Sequence, residues 1–262
     1  MKISLLIYGT AIALLISACG SGKNDEIKPV EVRFETGKEY YDAGKYRKAI
    51  QELKFVTFNA PGSEIGDDAQ FYLANSHFEL KEYILAISEY ERLLRVHPES
   101  PFLEEGEYKR ALCFDKMSPS SYHDQTNTLK ALDAYQEYIE TWPESEYKIK
   151  AESRLDLLRF KLAKKIFDNG KQYQKLGECE SSAIYMRQLL EKYYDSDLAP
   201  EARWRLAECE MKLKNWESAL EVLIDILGRD EDAKFSKKAR KAIREVKSKV
   251  DDKSEQALVD DK

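Results

Sequence analysis

Four cysteines and three histidines are the side chains of this sequence best suited to covalent or metal chemistry. Beyond Cys19 there remain Cys113, Cys179 and Cys209, an odd number that cannot pair completely. None has a second cysteine or histidine at metal-ligand spacing, and each falls in an apolar stripe of helical period, where a thiol acts as a small hydrophobe. His77, His97 and His123 share no spacing with carboxylates that would make a metal site, and His77 belongs to an apolar helical stripe. Glycine-rich phosphate loops, a nucleophile-elbow serine and a Cys-x-x-Cys pair are all missing from the sequence. The acidic pairs Asp67-Asp68 and Glu104-Glu105 open predicted helices, where the helix dipole favours negative charge. No catalytic residue, metal or cofactor is expected, and the reading is a binding scaffold.

Cys19 stands apart. Lys2 gives a charged start, an apolar run covers Ile3 to Ile16, and Ser17-Ala18 precede the cysteine. That is the layout of a secretory signal, too short to be a membrane-spanning helix. The stretch Ile16-Ser17-Ala18-Cys19 is similar to a bacterial lipobox, which implies cleavage before Cys19 and lipidation of its thiol and new amino group. An ordinary cleaved signal is the plainer alternative. Residues 1–18 are read as the signal peptide and 19–30 as the lipidated cysteine with a flexible tether.

The formal net charge is −6, becoming −7 once Lys2 leaves with the signal, which disfavours nucleic acid as a partner. Scarce Pro and Gly with abundant Ala, Leu, Glu and Lys indicate an all-α chain. A period near 37 residues then organises it. Tyr46 recurs as Tyr83, Ala49 as Ala86 and Pro61 as Pro98 at that interval, and the block returns at Trp216 and Ala219. Such a period predicts stacked helix hairpins. In each hairpin a small residue (Ala49, Ala86, Ala131, Ala219) marks where helix B crosses helix A. Proline halts helix B at Pro61, Pro98 and Pro143.

Two breaks interrupt the period. About eight extra residues, Met117 to Thr126, form a loop inside the third hairpin, and the interval from Ala131 to Ser182 stretches to 51. The second break predicts a long helix from about Tyr147 to Phe167, with Ile149, Leu155, Leu158, Leu162 and Ile166 as its apolar stripe. The expected organisation is repeats 1–3 over 31–146, a linking helix with repeats 4–5 over 147–228, and a capping helix over 229–250. A disordered tail is expected over 251–262. The capping helix is basic, which is either its polar back or a face for an acidic partner or lipid phosphate.

These features are similar to the tetratricopeptide repeat, whose A helices line a concave groove. On the first three repeats this implies a peptide groove built from Phe34, Lys38, Tyr41, Phe71, Asn75, Phe78, Tyr108 and Lys116. Aromatic residues of an extended peptide would meet its rings, while Lys38, Asn75 and Lys116 would meet the peptide backbone or carboxylate. The alternative for each ring is core packing between neighbouring A helices.

Lipobox, short tether, five repeats, an insertion in the third and a long linking helix together resemble the outer-membrane β-barrel assembly lipoproteins, the BamD (YfiO) family. Trp142-Pro143-Glu144-Ser145-Glu146-Tyr147 fits that family's helix-B ending, and His97-Pro98-Glu99-Ser100-Pro101-Phe102 is a near copy of it. The resemblance implies a non-enzymatic subunit of the barrel assembly complex, lipid-anchored in the outer membrane and facing the periplasm. Its implied partners are unfolded outer-membrane β-barrel proteins and a BamA-like barrel assembly protein. Two departures stand out: Asn59-Ala60-Pro61 lacks an aromatic before the proline, and Tyr185 replaces an expected basic residue, with Arg187 two places on. A second reading keeps the scaffold but makes it a periplasmic coordinator of envelope, peptidoglycan or secretin assembly.

Overall fold

The computed structural model describes residues 28–229 and 232–260, with side chains as far as Val250. The signal segment, Cys19 and the tether up to residue 27 lie outside them, as do Asp261 and Lys262. Among the described residues every regular element is a helix: α1 (Val30–Asp42), α2 (Tyr46–Asn59), α3 (Gly66–Glu79), α4 (Tyr83–Val96), α5 (Leu103–Met117), α6 (Thr126–Thr141), α7 (Lys148–Lys175), α8 (Cys179–Lys192), α9 (Ala199–Lys212), α10 (Trp216–Arg229) and α11 (Ala233–Asp260). Each packs on its sequence neighbours, giving five hairpins closed by α11. This is a tetratricopeptide-repeat solenoid.

Small residues set the spacing of the helices within each hairpin. Gly37, Ala74, Ala111, Gly170 and Ala207 occupy one register of the A helices and are all buried. A methyl group on Gly37 would lie 2.9 Å from Leu53 Cγ, and one on Gly170 would lie 2.7 Å from Met186 Cε. Facing them, Ala49, Ala86, Ala131 and Ala219 are fully buried on the B helices. Helices α2, α4 and α6 all stop two residues before their prolines, Pro61, Pro98 and Pro143, where the ring removes a donor and clashes with a continuing turn.

The turns between A and B helices repeat as well. Gly44, Lys81, Gly177 and Lys214 all take positive φ, between 60° and 87°. The next residue donates back to helix A, as in Lys45 N to Tyr40 O at 2.7 Å and Asn215 N to Glu210 O at 2.9 Å. That pair of features is a Schellman close, which favours glycine at the left-handed position. The third hairpin lacks it because the 118–125 loop intervenes. This loop is held down: Lys161 Nζ donates to Ser118 Oγ at 2.7 Å, and Lys165 Nζ donates to the His123 carbonyl at 2.6 Å.

A register signal escaped the sequence reading. Phe34, Phe71, Tyr108, Phe167 and Trp204 sit at one position of the five A helices and wedge against the residue just before or within the next A helix. Phe71 stacks on Phe102 at 4.3 Å, Tyr108 on Tyr147 at 4.8 Å and Trp204 on Phe235 at 6.4 Å. Phe34 shares a core with Ile65, and Phe167 with Leu198. Four residues beyond each acceptor comes a buried small residue: Ala69, Gly106, Ala151, Ala202 and Ala239. By this register α11 fills the slot of a sixth A helix.

Helix α7 answers to two registers at once. Its start, Tyr147 and Ala151, docks on the third hairpin, while Phe167 and Gly170 form the A helix of the fourth. The linking segment and that A helix are therefore one 28-residue helix. The stretched interval, 51 against 37, inserts 14 residues, just under four turns at about 3.6 residues per turn, so both registers fall on nearly the same face. Ile149 departs from its expected place in the apolar stripe: it is 79% exposed, because no helix covers that side of the first turn. Helix α11 runs on to Asp260, through residues expected to be a disordered tail. No proline or glycine interrupts 251–260, and Glu255, Gln256, Ala257 and Leu258 are good helix formers, so an existing helix extends at little cost.

Candidate functional site

The expected groove residues lie on the A helices α1, α3 and α5. A run of rings crosses the three helices. Tyr41 meets Tyr72 edge-on at 5.2 Å, Tyr72 meets Phe71 at 5.8 Å, and Phe71 stacks on Phe102. Cations sit over them, with Lys38 Nζ 5.5 Å from the Tyr72 ring and Lys109 Nζ 5.4 Å from the Phe71 ring. Tyr41, Tyr72, Lys38 and Lys109 are half-buried, and Lys109 also pairs with Glu105 at 2.9 Å. Burial and the nearby Glu79 carboxylate push the Tyr41 phenol up to about 12, so it remains a neutral hydrogen-bond donor at physiological pH.

The remaining expected residues divide. Phe34 and Phe71 are each only 5% exposed and serve the inter-hairpin wedge, so the core alternative holds for both. Asn75 is a correction: it is 2% exposed, and its Oδ1 accepts from Tyr90 Oη and from Lys109 Nζ at 2.8 Å. An amide already committed at that depth is unavailable to a peptide. Tyr108 is boxed by Tyr135, Tyr138 and Tyr147 and is held mainly by packing. Phe78 is half-buried, edge-on to Tyr83 at 5.7 Å. Lys116 is exposed in the last turn of α5, apart from the rings. The repeat pattern does not mark Tyr72 and Lys109, which follow the wedge residues Phe71 and Tyr108 by one position and differ in type from each other.

A further ion pair joins a buried carboxylate to a partly exposed arginine. Arg154 of α7 donates to Asp115 of α5 through Nε at 2.6 Å and Nη2 at 2.8 Å, and Tyr135 Oη donates to the same carboxylate at 3.3 Å. This bidentate contact ties the linking helix to the third hairpin. Around the outer side of α7, Ile149, Asp156, Leu157 and Phe160 line a groove of about 800 Å³ with Tyr193 and Asp195.

Nucleophile chemistry finds no support in the thiols. Burial pushes Cys113 up to about 12 and Cys209 up to about 11, so both stay protonated at neutral pH. His77 is buried, with Nδ1 2.7 Å from Glu82, as a packed histidine would be. Among the described residues no group of three His, Cys, Asp or Glu side chains could hold a metal ion. None of the described helices is long and apolar enough to cross a membrane.

The stacked hairpins define a tetratricopeptide-repeat protein. Residues 27–226 match the family model described as outer membrane lipoprotein, YfiO, and the chain belongs to that family. Its similar relatives include the outer membrane protein assembly factor BamD of Rickettsia prowazekii, 26% identical over 81% of this chain and 86% of that protein. The protein of the same name from Caulobacter vibrioides is 25% identical over 80% of this chain and 70% of its own length. Among solved structures, that of MamA aligns over 63% of this chain and 79% of its own, 23% identical, with a TM-score of 0.40.

Proposed function

We propose that this chain is a non-enzymatic lipoprotein subunit of the outer-membrane β-barrel assembly machinery, moored through Cys19 in the outer membrane and facing the periplasm. Family membership and relatives named as outer membrane protein assembly factors support the process. The observation that carries the binding role is the inner face of hairpins one to three. Its half-buried Tyr41 and Tyr72 offer apolar area and Lys38, over the Tyr72 ring, offers positive charge, while Lys109 is already paired with Glu105 at 2.9 Å. An unfolded β-barrel segment rich in aromatics and ending in a carboxylate matches both features. The C-terminal hairpins then dock on the periplasmic domains of a BamA-like channel protein.

The test is affinity purification from detergent-solubilised membranes of cells carrying the tagged lipoprotein. The proposal expects a large barrel protein with periplasmic domains in equal amount, and loss of other barrel proteins from the outer membrane on depletion. Recovery of peptidoglycan or secretin components with normal barrel levels would overturn it. Mass spectrometry of the mature N-terminus should find an acylated Cys19, abolished by Cys19→Ser.

A further inference from the structure

The family match ends at residue 226, and α11 lies wholly beyond it. Between Ala233 and Val250 this helix carries Lys234, Lys237, Lys238, Arg240, Lys241, Arg244, Lys247 and Lys249 against one acid, Glu245, in a chain of net charge −6. Its apolar side is used up: Phe235, Ala239 and Val246 are buried, with Ala242, Ile243 and Val250 packed beside them against α10. Turning about 100° per residue, the basic positions fill an arc of roughly 200° directly opposite that stripe. All eight are exposed, over about 22 Å of helix at 1.5 Å per residue.

We propose that this arc is a docking surface for anionic lipid headgroups, which lays the C-terminal end of the solenoid against a phospholipid bilayer. Three features favour lipid over an acidic protein. The arc is the convex outer side of a cylinder, so it has no recess to read a fixed shape. Its charge is spread evenly over residues 234–249, which suits laterally mobile phosphates better than one constellation of carboxylates, and the acidic residues Asp251, Asp252, Glu255 and Asp260 fall only in the last ten positions of the helix. Its apolar residues are committed to the core, so contact is peripheral and electrostatic, without insertion. The reading of the chain as membrane-moored brings the helix near a bilayer, but the contact itself needs no anchor.

Every core cluster among the described residues lies between Phe34 and Val250, so a chain from Gly20 to Lys262 retains them all without the acyl group. It would be mixed with vesicles of phosphatidylglycerol and phosphatidylcholine, or of phosphatidylcholine alone, and sedimented. The expected result is at least tenfold more binding to the anionic vesicles, lost in 0.5 M salt and lost in the Lys237→Glu, Lys241→Glu, Arg244→Glu variant. Inorganic phosphate at matched ionic strength should not release it, which separates a headgroup surface from a free-phosphate site. Circular dichroism checks the fold. If the triple reversal unfolds, the Lys237→Gln, Lys241→Gln, Arg244→Gln variant should show an intermediate loss. No preference for anionic vesicles, or binding untouched in a folded variant, would overturn the proposal. So would retention of polyglutamate or DNA with vesicles ignored. Failure here leaves the purification test of the assembly role untouched.

Discussion

Hairpins one to three and hairpins four and five share one backbone plan but present different inner faces. In the first half the A helices show rings. Tyr72 touches Tyr41, Phe34 and Phe71, with Lys38 overhead. In the second half the same register carries Arg205, whose Nε and Nη2 donate to Glu201 at 2.8 and 2.6 Å and whose Nη1 donates to Gln174 at 2.6 Å. Nearby, Lys164 pairs with Asp168 at 2.8 Å, and Gln174 donates to Glu208 at 3.3 Å. Lys109 of the first half pairs with Glu105 at 2.9 Å just as Arg205 pairs with Glu201, so the two faces differ in half-buried ring area and not in whether charge is satisfied internally. The same wedge therefore holds together two halves whose A helices differ in side-chain chemistry.

Breaking that wedge should have the largest effect. Phe71→Ala removes a buried ring stacked on Phe102 and is expected to cost about 3–5 kcal/mol, read as a lower urea midpoint. Asp115→Ala, which strands Arg154 and Tyr135 behind the third hairpin, should cost about 2 kcal/mol, discounted because Arg154 is partly solvated. Tyr72→Ala should weaken binding of a peptide ending in an aromatic residue about tenfold, or about 1.4 kcal/mol, with helicity retained. Arg205→Ala, at the matching place in the second half, should leave that affinity within twofold. Smallest is the gain from Lys81→Gly or Lys214→Gly, about 0.5–1 kcal/mol of added stability, since glycine relieves the positive φ that Gly44 and Gly177 already accommodate.

Much of this was legible as periodicity. Ala49, Ala86 and Ala219, with the prolines after helix B, are local signals that recur at a fixed interval, and each sits where the interval placed it. Contacts between hairpins were harder to see. Phe71 meets Phe102 and Asp115 meets Arg154 at separations of 31 and 39 residues, and nothing in a helical stripe says which ring faces the groove and which the next hairpin. Asn75 misled for the same reason, because its partners Tyr90 and Lys109 arrive from two other helices. Ile149 fitted an apolar stripe, yet a stripe records what a helix offers and not whether a neighbour is long enough to cover it. Lys81 and Lys214 hid a left-handed turn that glycine announces at Gly44.

Site-specific photo-crosslinking during barrel assembly compares the two halves most directly, with p-benzoylphenylalanine placed at Tyr72 in one strain and at Arg205 in another. The account predicts adducts with unfolded barrel proteins from the Tyr72 position and none from Arg205. Equal substrate adducts at both positions, or substrate adducts at Arg205 alone, would contradict it.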